Sequence, residues 1–216
     1  NTIASDVRAN VDAGFSIVKW TGGSGTVGHG LDSAPEIIFT KVTNTADNWV
    51  VYNNTIGATK ALYLDLTLAA ATNSTYWSDT NPSSSVFTLG SSFNNSNNYI
   101  AYCFTSISGY SKVGSYTGTS GSVTVSDVGF QPTFLLIKGA TAGASFGGGW
   151  LIVDSARGDG GFNTAKFLLP NSSGAEFTNA VYGVIFTSNG FTIPSGSSVN
   201  LNTNNGTFIY LAIKEN

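Results

Sequence analysis

The chain has 216 residues, a formal net charge of −3 and only 10% charged side chains, against about a quarter in ordinary soluble domains. No cluster of Lys or Arg occurs, so the electrostatic footprint of a nucleic-acid binder is missing and no nucleic-acid partner is expected. The longest apolar runs, such as Phe134-Leu135-Leu136-Ile137, are far too short for a bilayer-spanning helix, and no membrane insertion is expected.

The length suits one large β domain or two small ones. Ser, Thr, Asn and Gly carry the polarity, and they serve turns while Thr, Val, Ile, Phe and Tyr suit pleated sheets. The opening "NTIASDVRANVDAG" lacks a methionine, so segment 1–13 reads as a lead-in from the upstream region of a longer polypeptide. Within it, "TIASDVRANV" is the one stretch compatible with a short helix, with Ser5 or Asp6 near its cap. From Gly14 onward short apolar runs alternate with turns. "GFSIVKWTGGSG" is a strand and its turn, and "TVGHGLDSAP" is a loop carrying the only histidine, His29. "EIIFTK", opened by Pro35, is continuously apolar enough for a central strand, and "NWVVYN" follows with Trp49. In "LYLDLTL", Leu62, Leu64, Leu66 and Leu68 alternate with Tyr63, Asp65 and Thr67, the period of a half-buried strand. "NSTYWSDTNPSSS" is turn chemistry, and "VFTLG" and "YIAYCF" are two further strands, the second placing the single Cys103 as a small core residue. One cysteine excludes an internal disulfide and a cysteine zinc site.

The order of these phrases then recurs. "GYSKVGSYTGTSG" from Gly109 answers "GFSIVKWTGGSG" from Gly14, about 95 residues earlier. "QPTFLLIK" answers "APEIIFTK", and "GWLIVD" answers "NWVVYN", aligning Trp150 with Trp49. "AKFLLP" answers "ALYLDL", "GFTIP" answers "VFTLG", and "FIYLAI" answers "YIAYCF". The expected architecture is therefore all-β: two tandem repeated antiparallel β-sandwich units, jelly-roll-like, of five to seven short strands each. The units span 14–107 and 108–216, and the absence of a Pro-rich or charged linker leads us to expect close packing, with one core or two left open.

The repeat also weighs the candidate sites. In "GWLIVDSARGDGG" the first half is a strand and the second its turn, with Asp154, Ser155 and Arg157 unmatched in "NNTIGATK". Two roles stay open for these three: an Asp154–Arg157 pair bracing the turn, or a site private to the second copy. The tripeptide Arg157-Gly158-Asp159 is set aside as an adhesion signal, because Gly is abundant and nothing else argues for an animal-cell partner. Any Ser-His-Asp triad must use His29. The letters G-x-S-x-G occur once, at Gly143-Ala144-Ser145-Phe146-Gly147, but no helical pattern follows them to make a strand-to-helix nucleophile elbow, and His29 aligns with Val128, a structural slot. A glycosidase requires two carboxylates at defined separation. Asp32, Glu36, Asp47, Asp65, Asp79, Asp154, Asp159 and Glu176 are available, but none recurs as a pair. One histidine with scattered acids is no metal-ligand set. We expect no catalytic residue, metal or cofactor. The five N-x-S/T sequons match what chance gives in a chain this rich in Asn, Ser and Thr.

Sugar binding pairs an aromatic platform with Asn, Asp and backbone donors on loops. "STYWSDTN" offers Tyr76, Trp77, Asp79 and Asn81, and Trp77 faces no tryptophan in the second copy, where "NAVYG" has Tyr182. Trp77 is thus either a glycan platform or an aromatic packed over the sandwich edge or in a subunit interface.

The ordered phrases "ANVDAGFSIVKWTG", "TVGHGL", "NWVVY", "STYWSDT", "VFTLG", "YIAYCF", "GYSKVGSYTG", "GFQPTFLLIK", "GWLIVDSARG" and "NGF" resemble an uncharacterised domain of tailed-bacteriophage virion proteins over nearly the whole chain. That domain lies toward the C-terminal end of long tail-fibre, spike or appendage proteins, often beside a concanavalin-A-like lectin domain. Asp154, Ser155, Ala156, Arg157 and Gly158 match its "DSARG" phrase, which suits a fold-defining turn as well as a binding one. The resemblance implies no catalytic residue. It implies a non-enzymatic virion structural module on the particle surface, in a tail fibre or spike, with a host-surface glycan as ligand. A homo-oligomer is expected, with a trimer the usual fibre state. The alternative is a capsid decoration or cement protein that binds other virion subunits.

Overall fold

A computed structural model describes residues 2–141, 149–157, 166–178, 183–196 and 201–215. The chain divides into two compact units, the first Asn1–Leu64 with Ala70–Ile107, the second Asp65–Ala69 with Ser108–Asn216. The fold is all-β, built from antiparallel sheets packed as sandwiches.

The first unit contains β1 (Ser5–Asn10), β2 (Phe15–Thr21), β3 (Gly25–Gly28), β4 (Ile37–Val42), β5 (Val50–Asn53), β6 (Lys60–Tyr63) and β7 (Ala71–Thr72). A single helical turn, α1 (Ser74–Trp77), precedes β8 (Val86–Leu89) and β9 (Asn98–Phe104). Its main sheet runs β1-β2-β9-β4-β5-β6-β7, while β3 pairs with β8. Inward residues alternate along each strand, as the pleat requires. Val18 and Trp20 of β2, Ile38 and Val42 of β4, and Tyr99, Ala101 and Cys103 of β9 meet Val27, Phe87 and Leu89 from the β3–β8 pair. Central strands are also buried outward, at Ile37, Val51 and Leu62, which is why their sequences read as unbroken apolar runs.

The second unit contains β10 (Ser111–Thr117), β11 (Val123–Val125), β12 (Phe134–Gly139), β13 (Trp150–Asp154), β14 (Lys166–Phe167), β15 (Phe177–Thr178), β16 (Ile185–Thr187), β17 (Gly190–Ile193) and β18 (Thr207–Ile213). Its sheets run β10-β18-β12-β13, β11-β17-β16 and β14-β15. Leu135, Ile137, Leu151, Phe208 and Tyr210 close on Val123, Val125, Phe191 and Ile193. Each unit therefore has its own apolar core. In both, the last strand lies between the first long strand and the proline-opened one: β9 between β2 and β4, β18 between β10 and β12.

Two expectations are corrected, and one aligned pair differs in burial. "TIASDVRANV" forms no helix; Ser5–Asn10 is β1, paired with β2 from Ser5↔Trp20 to Asn10↔Phe15. Ile3, Val7 and Val11 have the i, i+4 spacing of a helix face, but a turn folds the segment back onto β2: Gly14 N–H donates to Val11 C=O at 3.0 Å and Ala13 N–H to Asn10 Oδ1 at 3.1 Å. Segment 1–13 thereby supplies an edge strand of the first unit. The alternation of "LYLDLTL" does not make a long strand either. β6 ends at Tyr63, Leu64 turns back to bond Trp49 C=O at 3.1 Å, and Leu68 is 55% exposed. Trp49 and Trp150 are not equivalent in burial: Trp150 is fully buried, while Trp49 is half-buried outside β5 and stacks on Tyr102 at 6.2 Å.

His29 is a buried structural histidine. Its Nδ1 accepts the Leu31 N–H at 3.1 Å, which leaves Nε2 to carry the proton and donate to Ser83 C=O at 3.1 Å. Burial holds its pKa below the ordinary 6.5, partly offset by the Ser83 bond. The folded state therefore binds fewer protons than the unfolded chain, so His29's contribution is complete above pH 6.5 and is lost as pH falls through the lowered folded value. Urea unfolding should show wild type more stable than His29→Gln at pH 7, with the difference shrinking toward pH 5; a constant difference would mean that His29 does not titrate on unfolding.

Close packing of α1 on β8 sets a second constraint. A Cβ at Gly90 would lie 2.3 Å from the Thr75 carbonyl oxygen, and Gly90 N–H donates to Tyr76 C=O at 2.7 Å. Gly90→Ala should displace α1 and cost about 1–3 kcal/mol in thermal or urea unfolding.

Candidate functional site

The segment "STYWSDTN" is shaped by its own side chains. Asn73 caps α1, its Oδ1 accepting the Thr75 N–H at 3.0 Å and hydroxyl at 2.6 Å. Ser78 and Asp79 then take left-handed φ values of 48° and 49°, ending the helix after one turn. Within that turn, consecutive residues face different ways. Tyr76 stays half-exposed, whereas Trp77 is 1% exposed. The Trp77 indole meets Tyr52 edge-on at 5.8 Å and Phe93 at 6.0 Å. Trp77 is thus core, not a stacking platform: α1 supplies the large apolar side chain that closes this end of the sandwich. Asp79 sits on the exposed turn. Asn81 is exposed as a residue, but its Oδ1 is committed, accepting the Ala58 N–H at 3.0 Å and the Tyr52 hydroxyl at 3.3 Å. Burial pushes Tyr52 up to about 12, so this hydroxyl remains a donor at ordinary pH.

Of the four, Tyr76 lines a cleft. This cleft, of about 170 Å³, opens between the end of β4, the loop after it and the α1 segment. Its floor is Thr40, Val42, Val50 and Phe93, and its rim is Tyr76, Ser92, Lys41, Asp47 and Asn48. Phe93 packs edge-on against both Tyr76 at 6.0 Å and Tyr99 at 5.1 Å, fixing the aromatic wall. The Tyr63 hydroxyl donates to the Tyr76 oxygen at 3.3 Å. Burial, with the nearby charge of Asp47, holds the Tyr76 phenol well above its usual range, so it stays protonated with a proton to donate. Lys41 reaches back to Asp47 C=O at 2.5 Å, and the Asp47 carboxylate accepts its neighbour's N–H from Asn48 at 2.7 Å. The loop is thereby pinned over the cleft. Sequence reasoning missed Lys41 and Asn48 here and weighed Asp47 only as a hydrolase acid; no spacing links "KVTNTADN" to "STYW", which meet only through the fold.

A larger cleft of about 470 Å³ lies at the β1, β2 and β9 end, lined by Asp6, Lys19, Thr21, Thr43 and Asn98 together with Trp20 and Tyr99. Asn98 ties its threonines together: Thr21 Oγ1 donates to Asn98 Oδ1 at 3.2 Å and Thr43 Oγ1 to Asn98 C=O at 3.1 Å. Trp20 and Tyr99 are buried against each other, 5.4 Å apart, and present no open ring face.

In the second unit, Asp154, Ser155 and Arg157 form the turn after β13. Asp154 accepts the Arg157 N–H at 2.8 Å and is also bonded by the guanidinium, and Ser155 N–H donates to Thr133 C=O at 2.8 Å. Glu176 extends the network, 3.7 Å from Arg157 Nε and 3.7 Å from Lys166 Nζ. Here the side chains brace a turn. Gly158 and Asp159 lie outside the described residues, as does Tyr182. Nearby, Lys138 is buried with its ammonium 5.9 Å from the Trp150 ring centroid, and burial lowers its pKa to about 8.

Among the described residues, no three His, Cys, Asp or Glu side chains gather as metal ligands, and no helix is long and apolar enough to cross a membrane. Glu36, a candidate acid, is tied to Ser106, whose N–H it accepts at 2.5 Å. Trp77→Ala should cost about 3–5 kcal/mol of stability by leaving a cavity, read as a large drop in the urea midpoint of the first unit; a change within about 0.5 kcal/mol would show that the indole is not core.

No match is found among curated proteins or among solved structures. The family match covers the chain from end to end, residues 1–216, and the chain belongs to the family described as a domain of unknown function, DUF7483.

Proposed function

We propose that this chain is a non-enzymatic structural module of a tailed-phage virion, exposed on the particle in a tail fibre or spike, and that its Tyr76 cleft takes a sugar of a host-surface glycan. The observation that carries the reading is the cleft's mixed lining. An apolar floor and aromatic wall suit the C–H face of a sugar ring, and the Tyr76 hydroxyl, Lys41, Asp47 and Asn48 suit its hydroxyls. A volume of about 170 Å³ is below the ~300–1,000 Å³ of typical small-molecule pockets, as fits one sugar residue held weakly and used in many copies. A surface with 10% charge and loops of Ser, Thr and Asn supports the same reading, as does the likeness of the sequence phrases to phage appendage proteins. The internal recurrence is part of this proposal: the two units arose as copies.

A capsid decoration role is the second reading. It is favoured by Phe177, which is 40% exposed while stacked on buried Phe167 at 5.3 Å, an apolar contact point for another virion subunit.

Binding of the purified chain to a glycan array and to whole bacterial cells tests the two. Saturable binding that falls tenfold or more in Tyr76→Ala and Asp47→Ala, at least about 1.4 kcal/mol, with folding intact by circular dichroism, is the expected result. Equal binding by wild type and both variants would move the site away from the cleft. Binding by none would remove the attachment reading and leave virion subunits as the partners.

A further inference from the structure

We propose that β1 is a docking edge for a second copy of this chain, pairing antiparallel with its own counterpart across a two-fold axis centred on Val7. β1 is the terminal strand of its sheet. The direction of its backbone groups follows from alternation along β2. Gly22 N–H donates to Asn97 C=O at 2.8 Å and Gly14 C=O accepts Thr105 N–H at 2.8 Å. Even-numbered residues of this stretch therefore bond toward the β9 side, and Phe15, Ile17 and Lys19 bond toward β1. Their partners are Asn10, Arg8 and Asp6, which leaves the N–H and C=O of Ser5, Val7 and Ala9 aimed away from the sheet. An independent contact agrees. Arg8 Nη1 donates to Val7 C=O at 3.1 Å, so that carbonyl faces outward. Beyond Ile3, whose N–H is taken by Thr26 C=O, no other chain segment supplies a backbone partner to this edge among the described residues.

The side chains select what can pair there. An unpaired edge is a template for another strand, and β1 reads Ser5-Asp6-Val7-Arg8-Ala9-Asn10. With Val7 opposite the second copy's Val7, each Val7 gives its N–H to the other's C=O, and Ser5 exchanges the same bonds with the second copy's Ala9. Asp6 then lies directly opposite the second copy's Arg8, and Arg8 opposite its Asp6, so both charges are paired by symmetry. Asp6 is also cross-strand from Lys19, placing it between two cations. Asp6 and Arg8 are exposed in the single chain, and Arg8 gives up only its bond to the neighbouring carbonyl. A single strand pair buries little area, so the association is weak and reversible, and it gains from multivalent display.

Analytical ultracentrifugation of the 216-residue chain over a concentration series tests this. Wild type should show a monomer–dimer equilibrium that weakens at high salt. Asp6→Arg and Arg8→Asp alone should each weaken dimerisation tenfold or more, and the double exchange should restore it to within about threefold of wild type. Val7→Pro, which removes the central donor, should abolish it. Both charged positions are exposed, so circular dichroism should be unchanged in the charge variants. Monomer at all concentrations, a trimer without dimer, or a double exchange as weak as the single variants would each overturn the proposal.

Discussion

Insertion of the last strand of each unit between two earlier ones is the constraint on which the rest depends. β9 bonds β2 on one side and β4 on the other, and β18 does the same for β10 and β12. Until that strand arrives, two sheet edges stand open and half of the core has no floor. The loop closed by β2 and β9 is long, so its entropy is lost before the sheet's contacts form. Residues that meet across this closure carry the packing: Trp20 on Tyr99, and Tyr116 stacked on Phe208 at 4.9 Å. Aromatic pairs of this kind add about 0.5–1.5 kcal/mol beyond area burial.

The cleft around Tyr76 is a by-product of the same arrangement. α1 packs beside β6 and β8, and its Trp77 meets Tyr52 of β5. One side chain of α1, Trp77, goes inward to complete the core, and the one before it, Tyr76, is left at the rim. Anything that shifts α1 therefore touches stability and cleft together, and the Gly90 contact is where that coupling is tightest.

Much of the fold was legible because the pleat leaves a period in the sequence. Continuous apolar runs marked the central strands β4 and β12, and proline followed by such a run marked where each begins. What misled was local. The leucines of "LYLDLTL" have strand spacing, but cross-strand partners exist only as far as Tyr63, and spacing carries no information about partners. β1 contains no strong β-former besides Val7 and is a strand because β2 lies beside it. For the site, the lack of a repeat partner for Trp77 left two roles open, a glycan platform or an aromatic packed over the sandwich edge or in a subunit interface. Trp77 shows that a position with no tryptophan counterpart in the repeat can still be core. Of the polar rim, Lys41 of β4 and Asn48 of the loop after it are brought near α1 by register that no single segment encodes. The Asp154–Arg157 brace was legible because an acid three residues before a cation in a turn is a local pattern.

Cys103 sits near the C-terminal end of β9, fully buried, with its thiol pushed up to about 12 by burial. As the only cysteine in the chain, it makes β9 its own chemical clock. A thiol reagent can reach it only when the first sandwich opens, and the thiolate forms readily only after that opening. The second unit has no such group, and its one tryptophan, Trp150, is buried in β13. Alkylation therefore times the opening of one half of the molecule alone.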